Sequence, residues 1–144
     1  MIQTKVLFVC IHNSAISQMA EAWLKKLGGD SFVVESAGIE PGTLNPLAVE
    51  AMKEVGIDIS LNHAKSVFDF FKSGSLFHDG NTVCDESQVE RCPIFGGITR
   101  RLHWSFADPS ALEGPWEEKL AKTREVREEV RKKIRVACLD PPVA

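Results

Sequence analysis

Four cysteines, Cys10, Cys84, Cys92 and Cys138, are the residues of this chain best suited to covalent chemistry. Cys10 opens the stretch CIHNSAIS, in which Asn13, Ser14 and Ser17 are small and polar. A cysteine closing an apolar run, then a tight polar loop and a helix start, aims several backbone N–H groups at one point. Such a cradle takes anions, and a cysteine at its lip is favoured as thiolate over thiol. Cys84 and Cys92 stand eight positions apart in TVCDESQVERCPIFGG. On an intact helix that spacing separates their backbones by about 12 Å, whereas a disulfide needs Cα atoms within about 7 Å. If the two pair, the segment between them must unwind, and pairing doubles as a conformational switch. The alternatives are two unrelated cysteines, or zinc ligands together with His78 and His103, although zinc motifs space their cysteines more tightly. Asp108, ahead of Pro109, offers a carboxyl that can protonate a departing oxygen over an anion site. By itself Asp-Pro is a common turn.

The elements that must position these groups alternate. Lys5–Val9 is a short β-branched run, the pattern of a strand buried on both faces. From Gln18, Met19, Ala22, Trp23 and Leu27 recur at helical spacing, with Glu21, Lys25 and Lys26 on the other side. Residues 31–37 read as a second strand closed by Gly38. Asn45 is an N-cap with Pro46 at the first helical position, launching a helix that stops at Gly56. Residues 64–72 carry Val67, Phe68 and Phe71 at helical offsets. The Asp-Gly-Asn of residues 79–81 is a turn sequence, so the third strand is expected to be only a few residues around Thr82–Cys84, and a fourth near Arg101–Trp104. Trp116, Leu120, Val126, Val130, Ile134 and Ala137 form the stripe of a last, highly charged helix. Alternating strands and helices imply a parallel sheet, with the site beyond the strands' carboxyl ends, where Cys10 falls.

At 144 residues, with 44% hydrophobic and 26% charged content, the chain fits one globular domain over residues 1–144. A net charge of −3 argues against non-specific nucleic-acid binding. No apolar stretch reaches bilayer-spanning length and the N-terminus does not read as a signal peptide. The expectation is a cytoplasmic protein with neither nucleic-acid nor membrane partner, its thiols reduced at rest.

CIHNSAISQMAEAWL resembles the first motif of the thioredoxin-linked arsenate reductases built on the low-molecular-weight protein tyrosine phosphatase fold. RCPIFGGITRRLHWSFADPS resembles a later part of the same family, and the likeness runs from Lys5 through the last helix. It implies an α/β, three-layer fold: a four-stranded parallel sheet in order 2-1-3-4 with helices on both faces. It also implies arsenate reduction by a thiol relay. Cys10 attacks arsenic, Asp108 assists the leaving oxygen, Cys84 then attacks Cys10, and Cys92 attacks Cys84. The final disulfide goes to thioredoxin or a similar external thiol reductant, with no bound cofactor. The loop Ile11, His12, Asn13, Ser14, Ala15, Ile16 and Ser17 would hold arsenate or phosphate, with Ser17 bonding the thiolate and Asn13 holding the loop's shape. His12 would solvate the rim, His63 and His78 lie on the surface, and Cys138 has a packing role. Some relatives hold a monovalent cation near Asn13, Glu21 and Ser36; Lys65 falls where a further acidic ligand belongs, which predicts no metal here.

The chain departs from the family pattern at Ile16, where an arginine is usual. Isoleucine offers neither the fork of donors nor the charge, which predicts weakened turnover unless Arg100 or Arg101 substitutes. Two other functions compete. A phosphatase on the same scaffold leaves Cys84 and Cys92 unexplained, and Ser110 and Ala111 stand where those enzymes carry aromatics, in a chain with no tyrosine. A non-enzymatic protein that binds arsenite or senses redox state would use Cys84 and Cys92 without turnover.

Overall fold

The computed structural model describes residues 3–83 and 98–139. Strand β1 (Thr4–Cys10) lies inside a parallel sheet, flanked by β2 (Phe32–Gly38) and β3 (Phe77–Thr82), with β4 (Ile98–His103) beyond β3. The order is β2-β1-β3-β4. Strand β1 takes a central place because both of its faces are apolar. Val6, Phe8 and Cys10 join the larger core, while Leu7 and Val9 join a smaller one on the opposite face. Among the described residues four helices cover the sheet: α1 (Ile16–Gly28), α2 (Pro46–Lys53), α3 (Val67–Lys72) and α4 (Trp116–Ile134). Helices α1, α2 and α4 build the larger core from Met19, Trp23, Met52, Val130 and Ile134 around Phe8. Helix α3 covers the other face through Val67 and Phe70 against Leu7 and Phe77. The three-layer fold and strand order implied by the resemblance are those observed.

Helix α2 forms as its sequence dictates. Asn45 Oδ1 accepts from Leu47 N–H at 2.8 Å, Pro46 fills the first turn, and Gly56 (φ 81°) ends the excursion. Other details differ from the periodicity. Helix α1 starts at Ile16 rather than Gln18, Leu27 is exposed, and Glu21, read as outward-facing, is buried. Helix α3 is shorter than residues 64–72, because Ser66 bridges Gly38 and Lys65 O accepts from Gly38 N–H at 2.8 Å. Those extended residues extend the sheet's edge, and Ser66 then caps α3. Phe68 and Phe71 are left exposed. On α4 the buried stripe is Leu120, Thr123, Val126, Val130 and Ile134, with Trp116 outside it. A π-helical turn, Arg135–Leu139, follows, and there Cys138 packs at the edge of the larger core.

Strand β3 is the main correction. It runs straight through Asp79, Gly80 and Asn81, which pair with Val6, Leu7 and Phe8 on one side and with Arg100, Arg101 and Leu102 on the other. Gly80 is there for a steric reason: a Cβ at this position would lie 2.3 Å from Ile98 Cδ1 and 2.9 Å from its Cγ2. Asn81 is 2% exposed, and its Oδ1 has no hydrogen-bond partner among the described residues. Turn chemistry is overridden here because two neighbouring strands claim the backbone. Strand β4 likewise starts earlier than expected, at Ile98.

Gly80→Val tests this packing. Although valine favours strands, overpacking against Ile98 should lower stability by about 1–3 kcal/mol in urea denaturation. An unchanged or raised midpoint would show that residues 79–81 are a turn after all.

Candidate active site

The carboxyl end of β1 delivers Cys10 into a loop, residues 10–17, that wraps around its sulfur. Cys10 Sγ lies 2.9 Å from Ser17 Oγ and accepts from Asn13 N–H at 3.0 Å. The loop's carbonyls face the other way. Those of Cys10, Ile11, His12 and Ser14 accept, in turn, from the N–H groups of Ile39, Glu40, Gly42 and Asn45. The segment after β2, which reads in sequence only as turn-rich, is therefore an outer brace. With its carbonyls occupied outside, the loop presents N–H dipoles inward, and no side chain caps the start of α1 at Ala15. Gly38 closes the brace from below. A Cβ there would meet Asn13 N and Ile11 O at 2.8 Å and His12 C at 2.9 Å, all backbone atoms.

Asn13 fixes the loop's shape. It is fully buried and sits at φ 53°, a left-handed conformation that asparagine tolerates better than most residues. Its Nδ2 donates to Ser17 Oγ (2.8 Å) and Ser36 Oγ (3.0 Å), and its Oδ1 accepts from Lys65 N–H (2.9 Å) and Gln18 Nε2 (3.1 Å). Ser36 Oγ in turn donates to Glu21 Oε1. Glu21 is paired with Lys25 at 2.6 Å and Lys65 at 3.3 Å, and Lys65 also reaches Glu35 at 3.1 Å. Burial pushes the Glu21 carboxyl up. Hydrogen bonds from Lys25 and Ser36 and the charge of Lys65 outweigh it, leaving the pKa below the ordinary value. The sequence does not single out Gln18 for this site, and it marks Lys65 only as standing where relatives carry a cation ligand, not as a partner of Asn13 and Glu21.

The chemistry at Cys10 differs from the expectation of a thiolate at a lip. The residue is 8% exposed, and burial pushes its pKa up. Ser17 and the backbone N–H groups of Asn13, Ser17 and His12 pull it back without offsetting the burial. Ile16 is also buried, in the apolar cluster that includes Cys10, Ile11 and Ala15. Arg100 does not substitute for an arginine at that position. It pairs with Asp79 at 2.9 Å, level with Val6, so it stands four residues or about 13 Å down the sheet from Cys10. Arg101 is level with Leu7, about 10 Å away along the strands.

The remaining candidates are distributed as follows. His12 is exposed and its Nδ1 lies 2.9 Å from Glu40 O, a rim position. Ser14 and Ala15 are buried in the loop. His63 is on the surface, as is His78, whose Nδ1 accepts from Lys5 N–H. His103 sits beside Thr82 at the opposite end of β3 from His78, so the two cannot share one metal ion. Among the described residues no three His, Cys, Asp or Glu side chains converge. Asp108 caps a short 3₁₀ turn, Pro109–Ala111, with its Oδ1 accepting from Ser110 N–H at 2.9 Å. Ser110 Oγ lies 3.4 Å from Ser14 Oγ, bringing the Asp-Pro turn against the cysteine loop. Cys84 and Cys92 lie outside the described residues. The chain reaches them from Val83, whose N–H donates to Val9 O at 2.8 Å, one residue before Cys10.

Residues 5–74 match the family model for low molecular weight phosphotyrosine protein phosphatases. The arsenate reductase of Bacillus subtilis is 41% identical over 133 residues, covering 90% of this chain and 91% of the relative. This chain belongs to the arsenate reductase family. A solved arsenate reductase in its phosphate-binding state superposes on 97% of this chain and 100% of its own, with a TM-score of 0.73 and 28% identity. The thioredoxin-dependent arsenate reductase of Corynebacterium glutamicum matches 94% of this chain and 64% of its own, with a TM-score of 0.62 and 28% identity. Among the described residues no helix is long and apolar enough to cross a membrane.

Two predictions follow from the geometry of this family member. Gly38→Ala should cost about 1–3 kcal/mol, because the new Cβ meets backbone that cannot rotate away. It should also change Cys10 reactivity towards iodoacetamide, read by peptide mass spectrometry; unaltered stability and labelling would show that the contact is not tight. The second concerns pH. A depressed Glu21 pKa contributes stability fully above the ordinary glutamate value of about 4.3 and loses it as pH falls through the lower native value. The urea stability gap between the wild type and Glu21→Gln should therefore be widest at pH 7 and shrink below pH 4. A gap that does not change with pH would mean that the carboxylate is not held as an ion.

Proposed function

We propose that this chain reduces arsenate to arsenite, with Cys10 as the nucleophile. The observation that carries the reading is the Cys10 sulfur held by Ser17 Oγ and Asn13 N–H inside a loop with outward carbonyls. That loop stands at the carboxyl end of a central parallel strand, in a chain 41% identical to arsenate reductase over nine-tenths of its length. In this reading the Cys10 sulfur bonds to arsenic and one arsenate oxygen leaves as water, taking up the thiol proton with Asp108 as the carrier. The Cys84 sulfur attacks the Cys10 sulfur, and the S–As electron pair returns to arsenic, which departs two electrons richer as arsenite. Cys92 then attacks Cys84, freeing Cys10, and an external dithiol protein of the thioredoxin kind reduces the Cys84–Cys92 bond. No resident cofactor or metal is required, and the setting is a reducing cytoplasm. The approach of β3 beside Val9, just ahead of Cys84, supports the order of attack.

Ile16 sets the rate in this reading. Losing one strong oxyanion donor costs about 10²–10³ in rate, and among the described residues no cation offsets the burial that raises the Cys10 pKa. The backbone dipoles remain as the anion-binding device.

Mass spectrometry of the reduced protein after arsenate exposure tests the relay: a Cys84–Cys92 disulfide should form with arsenate and not without it. Equal yields in both conditions would favour a redox-sensing thiol protein, and hydrolysis of p-nitrophenyl phosphate without arsenate turnover would favour a phosphatase. Ile16→Arg should raise kcat/KM at least tenfold in a thioredoxin-coupled assay. No gain in a folded variant would show that the loop is not the working oxyanion site.

A further inference from the structure

Ser110 joins the turn that carries Asp108 to the loop that carries Cys10, directly through Ser14 and indirectly through Asn45. Asp108 Oδ1 accepts from Ser110 N–H at 2.9 Å, so the position of the carboxyl follows that of Ser110. Ser110 Oγ accepts from Asn45 Nδ2 at 3.0 Å and stands 3.4 Å from Ser14 Oγ. Asn45 is itself anchored twice: its N–H donates to Ser14 O at 2.8 Å, and its Oδ1 caps α2 through Leu47 N–H. One asparagine thus uses its backbone on the cysteine loop, one side-chain atom on α2 and the other on the acid turn.

We propose that Asn45 and Ser110 are positioning residues: a polar latch that holds the Asp108 turn closed over the anion loop, and whose release opens it. The assignment rests on the reading of Cys10 and Asp108 given above. Two features suit a latch rather than a permanent fastening. The Asn45–Ser110 contact is solvent-exposed, so water can replace it when it breaks. The turn is short and stiff, from Pro109 to Ala111, so it moves as a unit carrying the Asp108 carboxyl.

The latch separates from ordinary stability by choice of variant. Ser110→Ala removes the acceptor, and Asn45→Ser keeps a capping oxygen for α2 while removing the Nδ2 donor. Each should leave the urea midpoint near wild type. Each should lower kcat three- to tenfold with little change in KM, the worth of one ordinary hydrogen bond, and Ser110→Thr should restore most of it. The acidic limb of the kcat–pH profile should change in the same variants, and the double variant should lose little more than either single one. A readout free of turnover accompanies these: iodoacetamide labelling of Cys10, resolved by peptide mass spectrometry, should quicken in both variants. Unchanged labelling together with unchanged kcat overturns the latch. So does a loss of activity that tracks a fall in stability and is not rescued by threonine. A wild type inert towards arsenate would overturn the proposed reaction instead, leaving the labelling rates to decide the latch.

Discussion

The loop depends on one buried asparagine in a left-handed conformation. Asn13 pays a backbone cost that few other side chains would tolerate, and four hydrogen bonds from Asn13's own amide hold it there. Those bonds reach α1 through Ser17 and Gln18, β2 through Ser36, and the edge before α3 through Lys65. The loop around Cys10 is consequently set by three separate segments at once. A local preference of CIHNSAIS alone does not specify it.

The charges near the site follow the same economy. Glu21 is taken out of water inside α1, and it remains ionised because Lys25, Ser36 and Lys65 converge on it. That carboxylate ends the hydrogen-bond chain that begins at Cys10 and passes through Ser17, Asn13 and Ser36. The lysines are thereby committed to Glu21 and Glu35, and Arg100 is committed to Asp79. Among the described residues, the groups bonded to the Cys10 sulfur are neutral: the Ser17 hydroxyl and the Asn13 N–H. Burial raises the pKa of that sulfur, while the Ser17 hydroxyl and the backbone N–H groups pull it the other way.

Packing carries the same lesson through two glycines. Gly38 lets β2 touch the backbone of the cysteine loop, and Gly80 lets β3 pass beneath Ile98. Neither acts through chain flexibility. Each marks a place where another segment comes too close for a Cβ, and one of them stands directly under the candidate nucleophile.

Much of this was legible in the amino-acid order. The apolar run into Cys10, the Asn45-Pro46 helix start and the alternation of strands and helices follow from local pattern, because each is encoded within a few neighbouring residues, whereas the strand order was implied by the family resemblance. The motif also singled out Asn13 and Ser17 beside the cysteine. The tertiary structure alone decided the rest. Residues 79–81 form a strand because β1 and β4 supply the hydrogen bonds that outweigh their turn preference. Glu21 points inward because its partners lie on β2 and beyond. The loop's outer brace at residues 39–45 and the Ser110–Asn45 contact join positions far apart in the chain. Periodicity records which face of an element is apolar, whereas the partners of a buried polar group are fixed only when distant segments meet.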